Sequence, residues 1–237
     1  MELADAQGRL ESTADAIGES CVLMFSGGRD SSLAALRLAK RGLAPILVTV
    51  SSDHLFGIGA VRSRLAELRQ VLPGGTRWLR IEQPKNLATD TSFYKQTCLP
   101  CHHAYVVVAA ASARHLSAAR LAFGYTRYQG DWPEQTPLAT SRLGALLSEY
   151  GIVLDLPVAD LASREQARAE LADAGLSQDA LEQKCRRQVT NIKLDEGDLV
   201  AQIGLWEAAI RRSMDALDAI PRAIVEDVTL DCIRGRP

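Results

Sequence analysis

Residues 26 to 32 read Ser26-Gly27-Gly28-Arg29-Asp30-Ser31-Ser32, and these residue types suit an anion. Two glycines let the backbone come close to a ligand, and three hydroxyls add donors. The segment lies between the apolar run Cys21-Val-Leu-Met-Phe25 and the helical stretch Leu33-Ala-Ala-Leu-Arg-Leu-Ala-Lys40. A strand leading into a helix there would turn the first helical amides, and the positive end of the dipole, toward one point. A phosphate or pyrophosphate is the expected ligand. Asp30 is the odd member, because a carboxylate beside phosphates is repulsive unless a divalent cation such as Mg²⁺ stands between them. No lysine follows the glycines, so the run is not a Walker A loop, and it is not G-x-G-x-x-G either.

A second set of reactive groups is the thiols. The sequence has five cysteines. Cys98-Leu-Pro-Cys101 puts two within reach of one ion, at the mouth of a helix whose start favours thiolates. Cys185 is a distant third in Glu182-Gln-Lys-Cys-Arg-Arg187. The residues alone leave several readings open. Zinc could sit on Cys98, Cys101, Cys185 and a histidine such as His102 or His103. Cys98 or Cys101 could be a sulfur-carrying nucleophile with Cys185 as its partner. All three could be inert core thiols. Cys21 reads as core packing, Cys232 shows no partner, and His54 and His115 read as surface residues. Tyr125, Arg127, Tyr128 and Trp132 crowd one loop, where they could stack on a planar ring or form a lid.

The run Ser-Gly-Gly-x-Asp-Ser resembles the signature of the PP-loop, or N-type, ATP pyrophosphatases, with Arg29 on the variable position. The resemblance implies an enzyme that cleaves ATP between its α- and β-phosphates and turns the substrate into an adenylate. It implies that Ser26, Gly27, Gly28, Asp30, Ser31 and Ser32 hold the pyrophosphate end, with Asp30 helping to place Mg²⁺. Adenine would lie near Thr49, Val50 and Ser51 and near Gly124. The family often carries G-H-x-x-D-D-x-x-E-T after its fourth strand. Here the text is Gly124-Tyr-Thr-Arg-Tyr-Gln-Gly-Asp131-Trp-Pro-Glu134-Gln-Thr136, with extra residues before Asp131 and Thr136. Asp131 and Glu134 would face the metal or order the loop. A later stretch, Asp155-Leu-Pro157 and then Ser163 to Leu176, looks like a run found in tRNA-modifying relatives, and no chemistry is assigned to it.

Cys98, Cys101 and Cys185 together resemble the iron–sulfur-dependent branch of PP-loop thiolases, in which three cysteines hold a [4Fe–4S] cluster with one iron open to sulfide. That resemblance implies a sulfur transferase. It would adenylate a carbonyl oxygen and replace it with sulfur, releasing AMP and pyrophosphate and drawing on a separate sulfur donor. A small heterocycle or nucleobase is the expected acceptor, because the chain has no extra cysteine pairs for RNA-binding modules; tRNA is the other candidate. The alternative is an amide- or nitrile-forming ligase of the 7-cyano-7-deazaguanine synthase type, or a non-catalytic nucleotide-binding protein.

The elements that must position these residues follow from hydrophobic pattern. Strands are expected at 21–25, 46–50, 77–81 and 119–124, separated by helices near 31–41, 56–72 and 101–116. Further helices are expected at 3–17, 137–150 and 195–219. Ser163-Arg-Glu-Gln166 is a capping box opening one that Gly175 stops. Alternation of this kind predicts an α/β fold with a doubly wound parallel sheet, of the Rossmann-like, adenine nucleotide alpha hydrolase type, and a mainly helical C-terminal part. Ligands in such sheets sit beyond the carboxyl ends of strands. The expected division is an ATP-binding domain over 1–160 and a helical extension over 161–237 packed on it. The 237 residues carry a net charge of −2, giving no global basic bias for nucleic acid, though Lys184 to Arg187 with Arg211 and Arg212 could form a local patch. No run of 18 apolar residues and no leader pattern is seen. A cytoplasmic protein without a membrane partner is expected, and a homodimer is possible.

Overall fold

The computed structural model describes residues 19–87, 97–186, 192–220 and 223–233. The helix expected at 3–17 lies outside them.

A six-stranded sheet runs in the order β6-β5-β1-β2-β4-β8. Its strands are β1 (Ser20–Met24), β2 (Ala44–Ser51), β4 (Arg77–Glu82), β5 (Arg120–Ala122), β6 (Val153–Asp155) and β8 (Ala223–Thr229). The first five are parallel to their neighbours, while β8 runs antiparallel to β4 along one edge. Side chains alternate across the sheet, so its two faces build two cores. Cys21, Leu23, Leu47 and Trp78 point to one side, where they meet α1 (Arg29–Lys40), α2 (Ile58–Leu68) and α5 (Arg164–Asp173). Val22, Val48 and Leu79 point to the other, where they meet α3 (Leu99–His115), α4 (Pro137–Glu149) and α6 (Glu196–Asp215). Helices on both faces are what a parallel sheet requires, because its crossovers place them there.

The order of strands creates the site. The chain winds from β1 outward through β2 to β4, then returns to lay β5 on the opposite flank of β1. The carboxyl ends of β1 and β5 therefore release their loops in opposite directions, which opens a crevice between them. A small antiparallel ribbon of β3 (Leu55–Phe56) and β7 (Lys184–Cys185) stands beside this edge.

Local signals account for the main boundaries. Gly42 ends α1 at φ +79°, and Gly175 follows α5 at φ +72°. The Ser163 side chain caps α5 by accepting from the Gln166 amide at 3.2 Å, as the capping box predicts. The sequence pattern did not reveal β8 or the β3–β7 ribbon.

Candidate active site

The turn after β1 forms the floor of the site. Gly27 has φ +84°, and Gly28 is an extended N-cap whose missing side chain cannot cap α1. The amides of the first helical turn are thereby left to the loop. Ser26 Oγ accepts from the Gly28 amide at 3.2 Å and lies 3.1 Å from Ser31 Oγ. Ser32 is fully buried and donates to the Gly28 carbonyl at 2.7 Å, so it stiffens the turn from beneath. Gly124, at the end of β5, passes so close that a Cβ there would stand 2.8 Å from the Ser31 nitrogen.

This floor opens into a cavity of about 390 Å³ lined by residues of seven segments. Ser26, Gly28, Asp30 and Ser31 come from the loop and helix start, Thr49 and Val50 from β2, and Gly124 from the end of β5. Thr49 is fixed by donating to the Phe25 carbonyl at 2.7 Å and accepting from Trp78 Nε1 at 2.9 Å. The Tyr128 hydroxyl sits 2.6 and 2.7 Å from the two Asp30 carboxylate oxygens. Burial raises the Asp30 pKa, and the Tyr128 hydrogen bond opposes that rise.

The thiols gather at the neighbouring edge. Cys98 is the N-cap of α3, and Cys101 lies in its first turn. Cys185 pairs with Leu55 across the ribbon, and the adjoining His54 puts Nε2 3.5 Å from Cys101 Sγ. The Cys98 pKa is pushed up to about 12, first by burial and then by Glu134, Cys101 and Cys185. Tyr105, which lines the cavity, has its hydroxyl raised by burial and by the same three thiols. The three cysteines are thus neighbours: Cys98 and Cys101 open α3 one turn before Tyr105, and the His54–Cys101 contact brings the ribbon that carries Cys185 beside them. They are soft donors of the kind that a thiophilic metal or an iron–sulfur cluster takes. Among the described residues, however, no three His, Cys, Asp or Glu side chains close to metal-holding distance.

No protein family model matches the sequence, and no curated protein matches it. Solved structures do. A 4-thiouridine synthetase in complex with RNA and bound ATP superposes with a TM-score of 0.62 at 15% identity, covering 88% of this chain and 55% of that one. The U34-tRNA thiolase NcsA from Methanococcus maripaludis, with its [4Fe–4S] cluster, superposes with a TM-score of 0.52 at 13% identity, covering 87% of this chain and 75% of that one. These likenesses show a shared fold, an α/β fold with a mostly parallel sheet flanked by helices. The chain spans only 55% of the length of the 4-thiouridine synthetase.

Within this fold, the site residues expected from the sequence separate into three groups. Ser26, Gly28, Asp30, Ser31, Thr49, Val50 and Gly124 line the cavity. Gly27 and Ser32 shape the loop without lining it, and Ser51 is buried, accepting from Arg80 Nε at 3.0 Å. Asp131 points elsewhere: its side chain is 72% exposed and meets Lys193 Nζ at 2.8 Å. The extra residues before it carry it outward, while Glu134 turns in, 1% exposed, with an oxygen 3.5 Å from His102 Nε2. His102 lines the cavity and holds the Tyr125 hydroxyl at 2.7 Å, and burial lowers its pKa. His103 faces away, toward Ser213 of α6 at 2.9 Å.

Three neighbours of the loop after β1 or of the thiols were not read from the sequence as site residues, and a fourth, Tyr128, was read only as part of an aromatic loop that could stack or form a lid. His54 was read as surface yet touches Cys101, because the unseen ribbon folds it inward. Arg164 and Glu182 line the cavity from the C-terminal part, and Tyr128 clamps Asp30. Arg164 opens the capped helix, so its place was marked by the capping box although its role was not. Fully buried Arg64 ties down the segment bearing Glu182, donating to the Ser177 carbonyl at 2.9 Å and the Asp179 carbonyl at 2.7 Å.

Proposed function

We propose that this chain is an ATP-dependent sulfur transferase acting on a carbonyl group of a nucleobase-like acceptor. The observation that carries the reading is the convergence of two chemistries on one sheet edge. A glycine–serine loop with Asp30 and Arg164 lines the cavity, Cys98 and Cys101 open the helix that carries its lining residue Tyr105, and Cys185 lies on the adjoining ribbon. A simple nucleotide-binding module has no use for three soft donors beside its phosphate loop.

ATP would bind with its β- and γ-phosphates on the loop amides and the Ser26 and Ser31 hydroxyls, assisted by Arg164 and Arg29. Asp30 would meet Mg²⁺, which takes one or two carboxylates along with phosphate oxygens. The acceptor's carbonyl oxygen attacks the α-phosphorus, and the α–β bridging bond breaks to release pyrophosphate. Inorganic sulfide then adds to the activated carbon. The carbon–oxygen bond breaks, AMP carries the former carbonyl oxygen away, and the protons of the sulfide pass to water. The chain's own work is positioning and neutralising charge. Cys98, Cys101 and Cys185 would hold a [4Fe–4S] cluster, which when bound supplies an open iron for sulfide; zinc is the other metal that suits the set.

The likeness to a thiolase and a 4-thiouridine synthetase supports the reading at the level of fold. The test is pyrophosphate release by anaerobically purified protein given ATP, sulfide and a cell-extract acceptor fraction. Release should require sulfide, and the product should gain 16 Da (oxygen replaced by sulfur). Cys98→Ala, Cys101→Ala and Cys185→Ala should each abolish that product. Release that needs ammonia instead, or full activity in all three variants, overturns the proposal.

A further inference from the structure

The cavity has two arms that differ in chemistry. The phosphate loop lies between them, with the end of β2 on one side and the end of β5 on the other. The β2 arm offers Thr49, Val50 and the side chain of Gln183, whose Nε2 donates to the Val50 carbonyl at 2.9 Å. The β5 arm is aromatic. Phe123 and Tyr125 stack at 4.9 Å, Tyr105 meets the His102 edge at 5.4 Å, and Trp132 stands at the mouth, 37% exposed. The lining arginines, Arg29 and Arg164, belong to the helix starts around the phosphate loop and not to this wall.

One polar group in the aromatic arm has a fixed sense. The Thr126 amide can only donate, and it donates to Gln135 Oε1 at 3.0 Å. Gln135 must therefore present its NH₂ to Gln129 Oε1, also at 3.0 Å. Gln129 is left with its own NH₂ as the group it offers to the cavity it lines. The wall thus combines flat apolar surface with one oriented donor.

Resting on the sulfur-transfer reading, we propose that this β5 arm is the acceptor subsite. It takes a flat, uncharged oxo-heterocycle, stacked between Trp132 and Tyr125, with the Gln129 amide donating to a ring carbonyl or ring nitrogen. The β2 arm is left to adenine. Position favours this assignment over the reverse. Tyr105, which lines the aromatic arm, stands one helical turn beyond Cys101 on α3, so a ring held there is the one nearer the thiols. Aromatic stacking is tolerant of ring identity, whereas an oriented donor discriminates against partners that leave it unpaired.

The test uses the full chain saturated with a non-hydrolysable ATP analogue and three probes: hypoxanthine, its 5′-nucleotide, and a short single-stranded RNA containing the same base. Calorimetry and quenching of Trp132 fluorescence report binding. Hypoxanthine should bind, and Trp132→Ala and Gln129→Glu should each weaken it by roughly tenfold while ATP-analogue affinity changes by less than twofold. Gln129→Glu keeps the shape and the bond to Gln135 but reverses the donor. Trp132 is at the surface, so its variant should melt with the parent. Binding of the nucleotide or the RNA but not the free base would move the source of the ring to a larger acceptor and overturn the free-ring assignment. Variants that weaken the ATP analogue instead would show that the wall holds adenine. Sulfur incorporation unaffected by either variant would remove the subsite and leave the transferase standing. Variant-sensitive ring binding with no sulfur product would do the opposite.

Discussion

A Cβ on Gly124 would stand 2.8 Å from the Ser31 nitrogen and 3.0 Å from the Asp30 carbonyl carbon, both backbone atoms that cannot swing aside. Gly124→Ala must therefore push β5 away from the start of α1. Overpacking of this kind costs about 1–3 kcal/mol, and in a chain of this size that lowers Tm by roughly 2–12 °C. Thermal denaturation should show the shift, and titration with ATP should show weaker binding, since the same displacement moves Ser31. A variant with unchanged Tm and affinity would mean that the close approach has no role. Tyr128 makes the complementary case, because it acts by a contact and not by absence of one. Its hydroxyl is the hydrogen-bonding side chain on both Asp30 oxygens, and Asp30 already resists ionisation through burial. Removing the donor in Tyr128→Phe should cost about 1–3 kcal/mol, the usual worth of a hydrogen bond to a charged group. It should also raise the Mg²⁺ concentration needed for tight ATP binding, while Mg²⁺-free binding changes little. Equal loss with and without Mg²⁺ would indicate general damage to the loop.

At the scale of elements, one charged side chain adds to the apolar docking of α5 on α1. Arg37 reaches both carboxylate oxygens of Glu170 at 2.8 Å, the Pro157 carbonyl at 3.0 Å, and Asp160. The ends of this contact are partly wet, so Arg37→Met should cost only about 1–2 kcal/mol. The pH dependence has a definite sign. Arg37 holds the Asp160 carboxyl below its ordinary 3.8. A carboxylate with a lowered folded pKa contributes stability that is present above the unfolded value and lost as pH falls through the folded one. The wild type should therefore lose this contribution in acid below about pH 4, and Arg37→Met should show a shallower acid limb in a denaturation series; parallel limbs would refute the assignment. This docking also marks where sequence reading stopped. The turn between β1 and α1 was legible because it is a few contiguous residues between two clear periodicities. Cys98 and Cys101 were legible because their spacing is local, and the capping box because its two partners are three residues apart. The ribbon that brings Cys185 beside Leu55 joins two strands of two residues each, too short for any period to register. β8 pairs with β4 across a separation of about 150 residues, and its exposed Ile224 and Val225 break the alternation expected of a half-buried strand. Asp131 was misplaced for a related reason: the motif supplied a residue type, and an insertion changed which way it points.

Taken as a whole, the C-terminal segment is woven into the N-terminal part at three places. α5 rests on α1, α6 fills the groove between α3 and α4, and β8 extends the sheet with Arg77–Asp227 and Arg80–Glu226 pairs. Among the described residues no helix is long and apolar enough to cross a membrane, and the apolar surface of α6 is used instead against α3, with Ile203 and Ile210 fully buried and Trp206 1% exposed. The boundary drawn near residue 160 is thus expected to divide the chain by composition and not by cooperativity. Three tryptophans make this testable, because the sequence contains three and each reports a different place. Trp78 is fully buried in β4, Trp206 lies in α6, and Trp132 is at the cavity mouth. A variant with Trp206→Phe and Trp132→Phe keeps only the sheet probe, and one with Trp78→Phe and Trp132→Phe keeps only the α6 probe. Each should be less stable than the parent, since a buried tryptophan contributes several kcal/mol of packing. Within each variant, however, the tryptophan signal and far-ultraviolet circular dichroism should melt together, as two-state unfolding demands. If α6 were a separate unit, the Trp206 signal would fall well before the circular dichroism while the Trp78 signal did not. That outcome would show that α6 folds apart from the sheet, and the C-terminal part would not be one cooperative unit with the rest.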